Sequence, residues 1–290
     1  MIRRGDRIFS GLTTGAGVAI LALLAGVATF LIIEAAPAVS GYKGLAGYIA
    51  PLAFGTVMAA LIAIIIAVPM AVAVALFITF YAPKRIAAPL GYLVDLLAAV
   101  PSVIYGLWGA AVLGTASVGV LEWLSDHLGF LPFFEGPAST TGRTMLVVGL
   151  VLAVMILPII TAVVREVFSQ TPRALREGAL ALGATRWEMI RMTVLPFGRS
   201  AVISASMLGL GRALGETMAV AIILSVSGDV TLNLISSANP STIAANVALN
   251  FPESSGVEVN ALIASGLVLF AITLVVNMAA RAVIGRRQPV

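Results

Sequence analysis

Six apolar runs, each long enough to cross a lipid bilayer, leave this chain few ways to fold. They cover about Phe9 to Ile33, Leu52 to Phe80, Leu93 to Leu113, Thr144 to Val164, Ala201 to Val226 and Ala261 to Ala280. About twenty residues of helix span a hydrocarbon core of about 30 Å, and a helix satisfies all of its own backbone N–H and C=O groups there. Over its 290 residues the chain is 60% hydrophobic and 10% charged, too apolar for a soluble domain of that length. The expectation is an all-α membrane protein of six transmembrane helices with both ends on one side. The first run precedes Ala35-Ala36-Pro37-Ala38 and so has the outline of a cleavable signal. Its length, beyond the about 7–15 residues of a signal core, favours a true span. Pro69 and Pro158 lie inside spans and are expected to bend them, which neighbouring helices in a bundle tolerate.

Basic residues choose the side. Arg3, Arg4, Arg7, Lys84, Arg85, the cations between Arg165 and Arg199, and Arg281, Arg286 and Arg287 fall on one face, against Lys43 and Arg143 on the other. Cytoplasmic loops carry the excess of Lys and Arg, so both termini are expected in the cytoplasm. The opposite loops carry Glu122, Asp126, Glu135, Asp229, Glu253 and Glu258, and two of them, about Gly114–Gly142 and about Gly228–Asn260, form the natural face for an external partner. Glu34 reads as an interfacial charge at the outer end of the first span. The chain has no Cys, and its single His127 lacks a second ligand, so disulfides and a metal site are not expected. No G-x-x-x-x-G-K-[ST] occurs, so energy from ATP would have to come from another subunit. No repeat or linker divides residues 1–290, which read as one domain.

The longest polar interruption is Arg165 to Pro196. Thr171-Pro172 opens a helix, with Thr as cap and Pro at the first helical position, and Gly183 ends it as a left-handed stop. Thr185-Arg-Trp-Glu188 has the spacing of a capping box, and a second short helix should run to Leu195 with Trp187, Ile190 and Val194 at helical spacing. Such an amphipathic hairpin suits either the lipid surface or a docking partner.

In the fifth run, Gly209-Leu-Gly-Arg212-Ala-Leu-Gly-Glu216-Thr217 buries charge. Counted from Gly198, Arg212 lies about 20 Å along a helix, well inside the bilayer, at a cost of several kcal/mol unless paired or hydrated. Glu216, four residues on, is the expected partner on the same face. One reading is a closed ion pair that fixes packing, helped by Gly211-x-x-x-Gly215. The other is a place on a permeation path, where a planar guanidinium suits a tetrahedral oxyanion and Glu216 keeps it from trapping the anion. Pro101-Ser102 and Tyr105 read as a helix bend with an interfacial aromatic or as pore lining. Asp95 reads as a cap or an ion-pair partner, and the Met residues as packing.

Two groups of motifs carry a resemblance. Glu177-Gly178-Ala179, Gly183 and Leu195-Pro196 resemble the EAA loop of ABC importer permeases, with Gly178 where Ala is common and Thr193 where Ile is common. Together with GLGRALGETMAV at Gly209–Val220, AAVPSVIYGLWG at Ala98–Gly109 and PLAFGT at Pro51–Thr56, the chain resembles PstC-type permease subunits of the bacterial phosphate ABC importer. The sister permease of that importer shares related segments. The resemblance implies a type I importer permease (MetI-like) bundle in the bacterial plasma membrane, with a cytoplasmic coupling helix in a loop at about 165–196. It places Arg212, Glu216 and Thr217 on the substrate pathway, and Glu177, Gly178, Ala179, Gly183, Thr185 and Glu188 in coupling to the ATPase. The implied partners are a second permease, two ATPase subunits and an extracytoplasmic phosphate-binding protein. No cofactor belongs to this chain, ATP and Mg being held by the ATPase. The alternatives are a permease for sulfate or molybdate, an ATP-independent secondary transporter with Glu216 as proton relay, and a membrane scaffold.

Overall fold

The computed structural model describes residues 4–228 and 230–285. Arg3, Asp229, Arg286 and Arg287, which entered the charge argument, lie outside the described residues. Helix α1 covers Arg4–Gly41 and α2 Leu45–Leu76, which widens into a π-helical turn at Phe77–Tyr81. Helix α3 follows at Lys84–Ala98, then α4 at Ser102–Trp108, which runs through a second wide turn at Gly109–Gly114 into α5 at Thr115–Leu128. Helix α6 is Met145–Ser169, α7 Arg173–Ala181 and α8 Arg186–Met189; a third wide turn at Ile190–Val194 leads into α9 at Leu195–Leu214. Short helices α10, Met218–Ile223, and α11, Ile243–Asn250, precede α12, Val257–Gly285. Among the described residues, six helical stretches are long and apolar enough to span a membrane.

Helix α6 is the axis of the bundle, with most of its residues buried. Helix α2 meets it along a row of buried alanines, Ala59, Ala63, Ala67, Ala71 and Ala75, spaced four apart on one face. Small residues let the two backbones approach closely, which replaces the hydrophobic drive that lipid does not supply. Helix α1 packs against α12 through Ala35, Ala38, Ala261 and Ala264, so the Ala-Ala-Pro-Ala stretch belongs to a packed span. Both α2 and α6 continue through their prolines, Pro69 and Pro158.

Two spans differ from expectation. The third is Ser102–Leu128 rather than Leu93–Leu113. Pro101 disfavours helix at the residue before it, so the chain opens at Val100 and Leu93 to Leu97 fall in α3. Tyr92, Leu93 and Leu96 are exposed there while Gly91 and Val94 face inward, which makes α3 amphipathic. The fifth span is Arg186–Leu214 rather than Ala201–Val226. It starts early because α8 does not stop at Leu195: the chain passes Pro196 through the wide turn, which accommodates a residue with no N–H to donate. It ends early at Gly215. Beyond it, residues 230–242 fold back onto the bundle and bury Leu234, Ile235, Asn239 and Thr242.

Candidate functional site

Helix α9 carries Arg212 about 25 Å from its start before ending at Leu214. The chain turns through Gly215, Glu216 and Thr217 and re-enters helix at Met218. This turn overturns the expected ion pair. Glu216, 8% exposed, directs Oε1 at the backbone N–H of Ala219 at 3.1 Å and so caps α10. A carboxylate at a helix N-terminus satisfies an orphan amide and meets the positive end of the helix dipole. Thr217 donates from Oγ1 to the Gly215 carbonyl at 3.2 Å, which tightens the same turn.

Arg212 is therefore left without the carboxylate expected for it. Among the described residues the sole ion pair is Arg165–Asp95, on the face that carries α7, and among them the guanidinium of Arg212 has no hydrogen-bond partner. It is half-buried and lies within electrostatic reach of the Tyr105 phenol. Tyr105 is buried on α4 and donates to the Leu97 carbonyl at 2.9 Å, which ties α4 to α3 across the Pro101 break. Helix α4 packs on α10 because Gly106 leaves no room for a Cβ, which would fall 2.8 Å from the Ala219 Cα. The structure thus gathers Arg212, Glu216, Thr217 and Tyr105 where α4, α9 and α10 meet. Of the two glycines offered for close helix packing, Gly211 faces open space and a Cβ on Gly215 would meet only the Gly211 carbonyl, at 3.6 Å, while Gly209 carries the contact with Ile160.

The second candidate group lies on the opposite face. Gly183 has φ 88°, and the Gly183 N–H to Leu180 and Ala184 N–H to Ala179 bonds complete the stop of α7. The capping box is present: the Glu188 N–H donates to Thr185 Oγ1, and the Thr185 N–H donates to the Glu188 carboxylate. The start of α7 differs from expectation, because Pro172 occupies the cap position and Thr171 makes no cap bond, its hydroxyl being buried without a partner. Arg176 lies over the Phe80 ring, 5.7 Å from its centre, and anchors α7 to the end of α2. Glu177 and Gly178 are exposed and Ala179 is half-buried. Leu182, 91% exposed, and Trp187, 55% exposed, stand beside exposed Leu175 and Leu180. Trp187 thus points away from the bundle, while Ile190 and Val194 are fully buried.

Two residues escaped the sequence reading. Asn239, fully buried, donates through Nδ2 to the carbonyls of Arg143, Ser225 and Ser236 and accepts from the Met145 N–H at 3.1 Å. Little local marks it, since beside the nearby Ser236 its partners Arg143 and Met145 come from a distant segment. Thr56 accepts from the Ile243 N–H at 2.9 Å, and Gly55 admits the Ser241 carbonyl where a Cβ would clash. The Phe-Gly-Thr signal that hinted at these contacts is the one inside PLAFGT. Among the described residues no three His, Cys, Asp or Glu side chains gather to hold a metal, and His127 stacks on Trp123 with centroids 4.7 Å apart.

Six membrane-spanning helices among the described residues, with a half-buried arginine in the last turn of the fifth and an exposed hairpin outside them, are the features of an integral membrane protein. The chain belongs to the family of binding-protein-dependent transport system inner membrane components, whose family model matches residues 67–288. Within it, the chain is 44% identical over 302 residues to phosphate transport system permease protein PstC 2 of Mycobacterium tuberculosis, covering 98% of this chain and 93% of that one. It is 41% identical over 263 residues to PstC of Xylella fastidiosa strain Temecula1, covering 89% and 78%. The fold is similar to that of a bacterial ABC transporter involved in import of the acidic polysaccharide alginate, at TM-score 0.62 and 16% identity over 99% of this chain and 98% of that one. The methionine ABC transporter MetNI is also similar, at TM-score 0.54 and 13% identity over 85% and 95%.

Proposed function

We propose that this chain is the transmembrane permease subunit through which an ATP-driven ABC importer moves inorganic phosphate into the cytoplasm. The observation that carries the reading is Arg212: a half-buried guanidinium in the last turn of the fifth span, with no hydrogen-bond or carboxylate partner among the described residues and with its neighbouring carboxylate committed to a backbone amide. Phosphate, with oxygens spaced to accept paired N–H donors, is the chemistry such a group serves. The PstC names of relatives at 44% identity support phosphate over sulfate or molybdate. Arg212 contacts the anion, Glu216 and Thr217 hold the turn that presents it, and Tyr105 lines the same place.

Residues 1–290 act as one permease domain, with both termini and α7 in the cytoplasm of a bacterium and the chain in its plasma membrane. Glu177, Gly178, Ala179, Gly183, Thr185 and Glu188 shape the coupling hairpin, whose exposed Leu182 and Trp187 meet an ATPase subunit. Exposed apolar side chains clustered on a rigid polar hairpin mark a surface that a partner covers. The working assembly adds a second permease, two ATPase subunits that hold ATP and Mg, and an external phosphate-binding protein. This chain itself needs no cofactor. ATP-driven closure of the ATPases shifts the cavity between inward- and outward-facing states.

The test is uptake of labelled phosphate by vesicles carrying the assembled complex, with sulfate and molybdate as competitors. The reading predicts uptake that requires ATP, survives collapse of the membrane potential and resists both competitors. Uptake that follows the potential and ignores ATP would instead favour a secondary transporter.

A further inference from the structure

One guanidinium on the face opposite the coupling hairpin is not used by the site above. Arg143 stands just before α6, and its backbone is pinned. Gly142 adopts φ 69°, a conformation that L side chains rarely take, and lies so close to the end of the wide turn of α4 that a Cβ would strike the Gly114 carbonyl. The Arg143 carbonyl accepts from buried Asn239 at 3.2 Å, and the next residue, Thr144, caps α6. From this junction of α4, α6 and α10 the side chain reaches the last turn of α10, where Nη2 donates to the Ile222 carbonyl at 3.0 Å.

That contact occupies one of the five N–H donors of a guanidinium. The side chain is exposed, and no carboxylate among the described residues lies within ion-pair distance. Glu135 and Glu253 lie in the loops of this face, Glu122 and Asp126 in α5 and Glu258 in the first turn of α12, acidic groups that outnumber the cations Lys43 and Arg143 and repel an approaching phosphate. Helix α10 has 6 residues, about 9 Å of rise, and Arg212 stands by its other end. Two guanidiniums without carboxylate partners therefore bracket one short helix.

We propose that Arg143 is an outer anion-binding station, which receives the phosphate at the mouth of the path and hands it along α10 to Arg212. The proposal rests on the phosphate reading above. Two stations share the anion so that binding at each stays weak enough for release, whereas a single deep arginine would leave it to cross an acidic mouth unaided.

The test compares wild type, Arg143→Gln and Arg143→Lys in the reconstituted complex, with phosphate uptake and ATP hydrolysis stimulated by the loaded binding protein read together. Arg143→Gln is expected to lower uptake about tenfold, the worth of a hydrogen bond to a charged group, with stimulated hydrolysis retained. Arg143→Lys keeps the charge and restores about half of the uptake or more. Raising ionic strength should slow the wild type more than Arg143→Gln, because screening acts on a charge the variant lacks. Wild-type uptake by Arg143→Gln overturns the inference alone. So does an equal loss in both variants together with lost hydrolysis, which marks a helix cap. A wild-type complex that moves no phosphate overturns the phosphate reading and this inference with it.

Discussion

Arg212 and Glu216 are four residues apart, a separation at which a continuous helix would hold them on one face. The helix stops at Gly215, and the Glu216 carboxylate accepts from the Ala219 N–H instead. The two side chains then contribute independently to stability. The predicted outcome is that Arg212→Gln, Glu216→Gln and the double variant shift the unfolding midpoint of the assembled complex additively, with a coupling energy below about 0.5 kcal/mol. A coupling above about 1 kcal/mol would mean that the residues pair after all. Gln at position 216 still accepts from Ala219, so the cap itself survives in this comparison.

Among the elements, α3 and α6 are joined by Arg165, whose Nη2 donates to the Asp95 carboxylate at 3.2 Å. The arginine lies across Gly91, where a Cβ would overlap its guanidinium, so the glycine makes room for the pair. Helix α6 leads directly to α7, and α3 leads to the Pro101 break and Tyr105, so the pair joins the segment before the hairpin to the segment before Tyr105. Because both side chains are partly exposed, each single loss, Asp95→Asn or Arg165→Gln, should lower the midpoint of the complex by only about 1–3 °C. Exchange of the two residues should recover most of that, and an exchange no better than the single losses would contradict the link. Legibility at this scale follows the range of the interactions. The hairpin was readable because the stop at Gly183 and the box at Thr185 and Glu188 are made within a few residues. The third and fifth spans were misplaced because apolar character runs past Pro101 and Gly215, where the backbone breaks. Asp95 was legible only as a cap or an ion-pair partner, and its partner was not legible at all, since Arg165 is distant in sequence.

For the whole molecule, six spans and their packing around α6 follow from length, apolar content and the alanine row of α2. The keystone role of Asn239 and the open state of Arg212 depend on contacts between segments far apart in the chain, which periodicity does not register. What the whole molecule then presents is a bundle with an exposed apolar hairpin on one face, acidic side chains toward the other, and between them an arginine with no carboxylate partner among the described residues. Its central claim is that phosphate passes Arg212. The most direct test is phosphate uptake and ATP hydrolysis measured together for Arg212→Gln in the assembled, reconstituted importer. The account predicts a complex that assembles and hydrolyses ATP but loses uptake about tenfold or more, as expected when a hydrogen bond to a charged group disappears. Normal uptake by this variant would contradict it and assign Arg212 to structure alone.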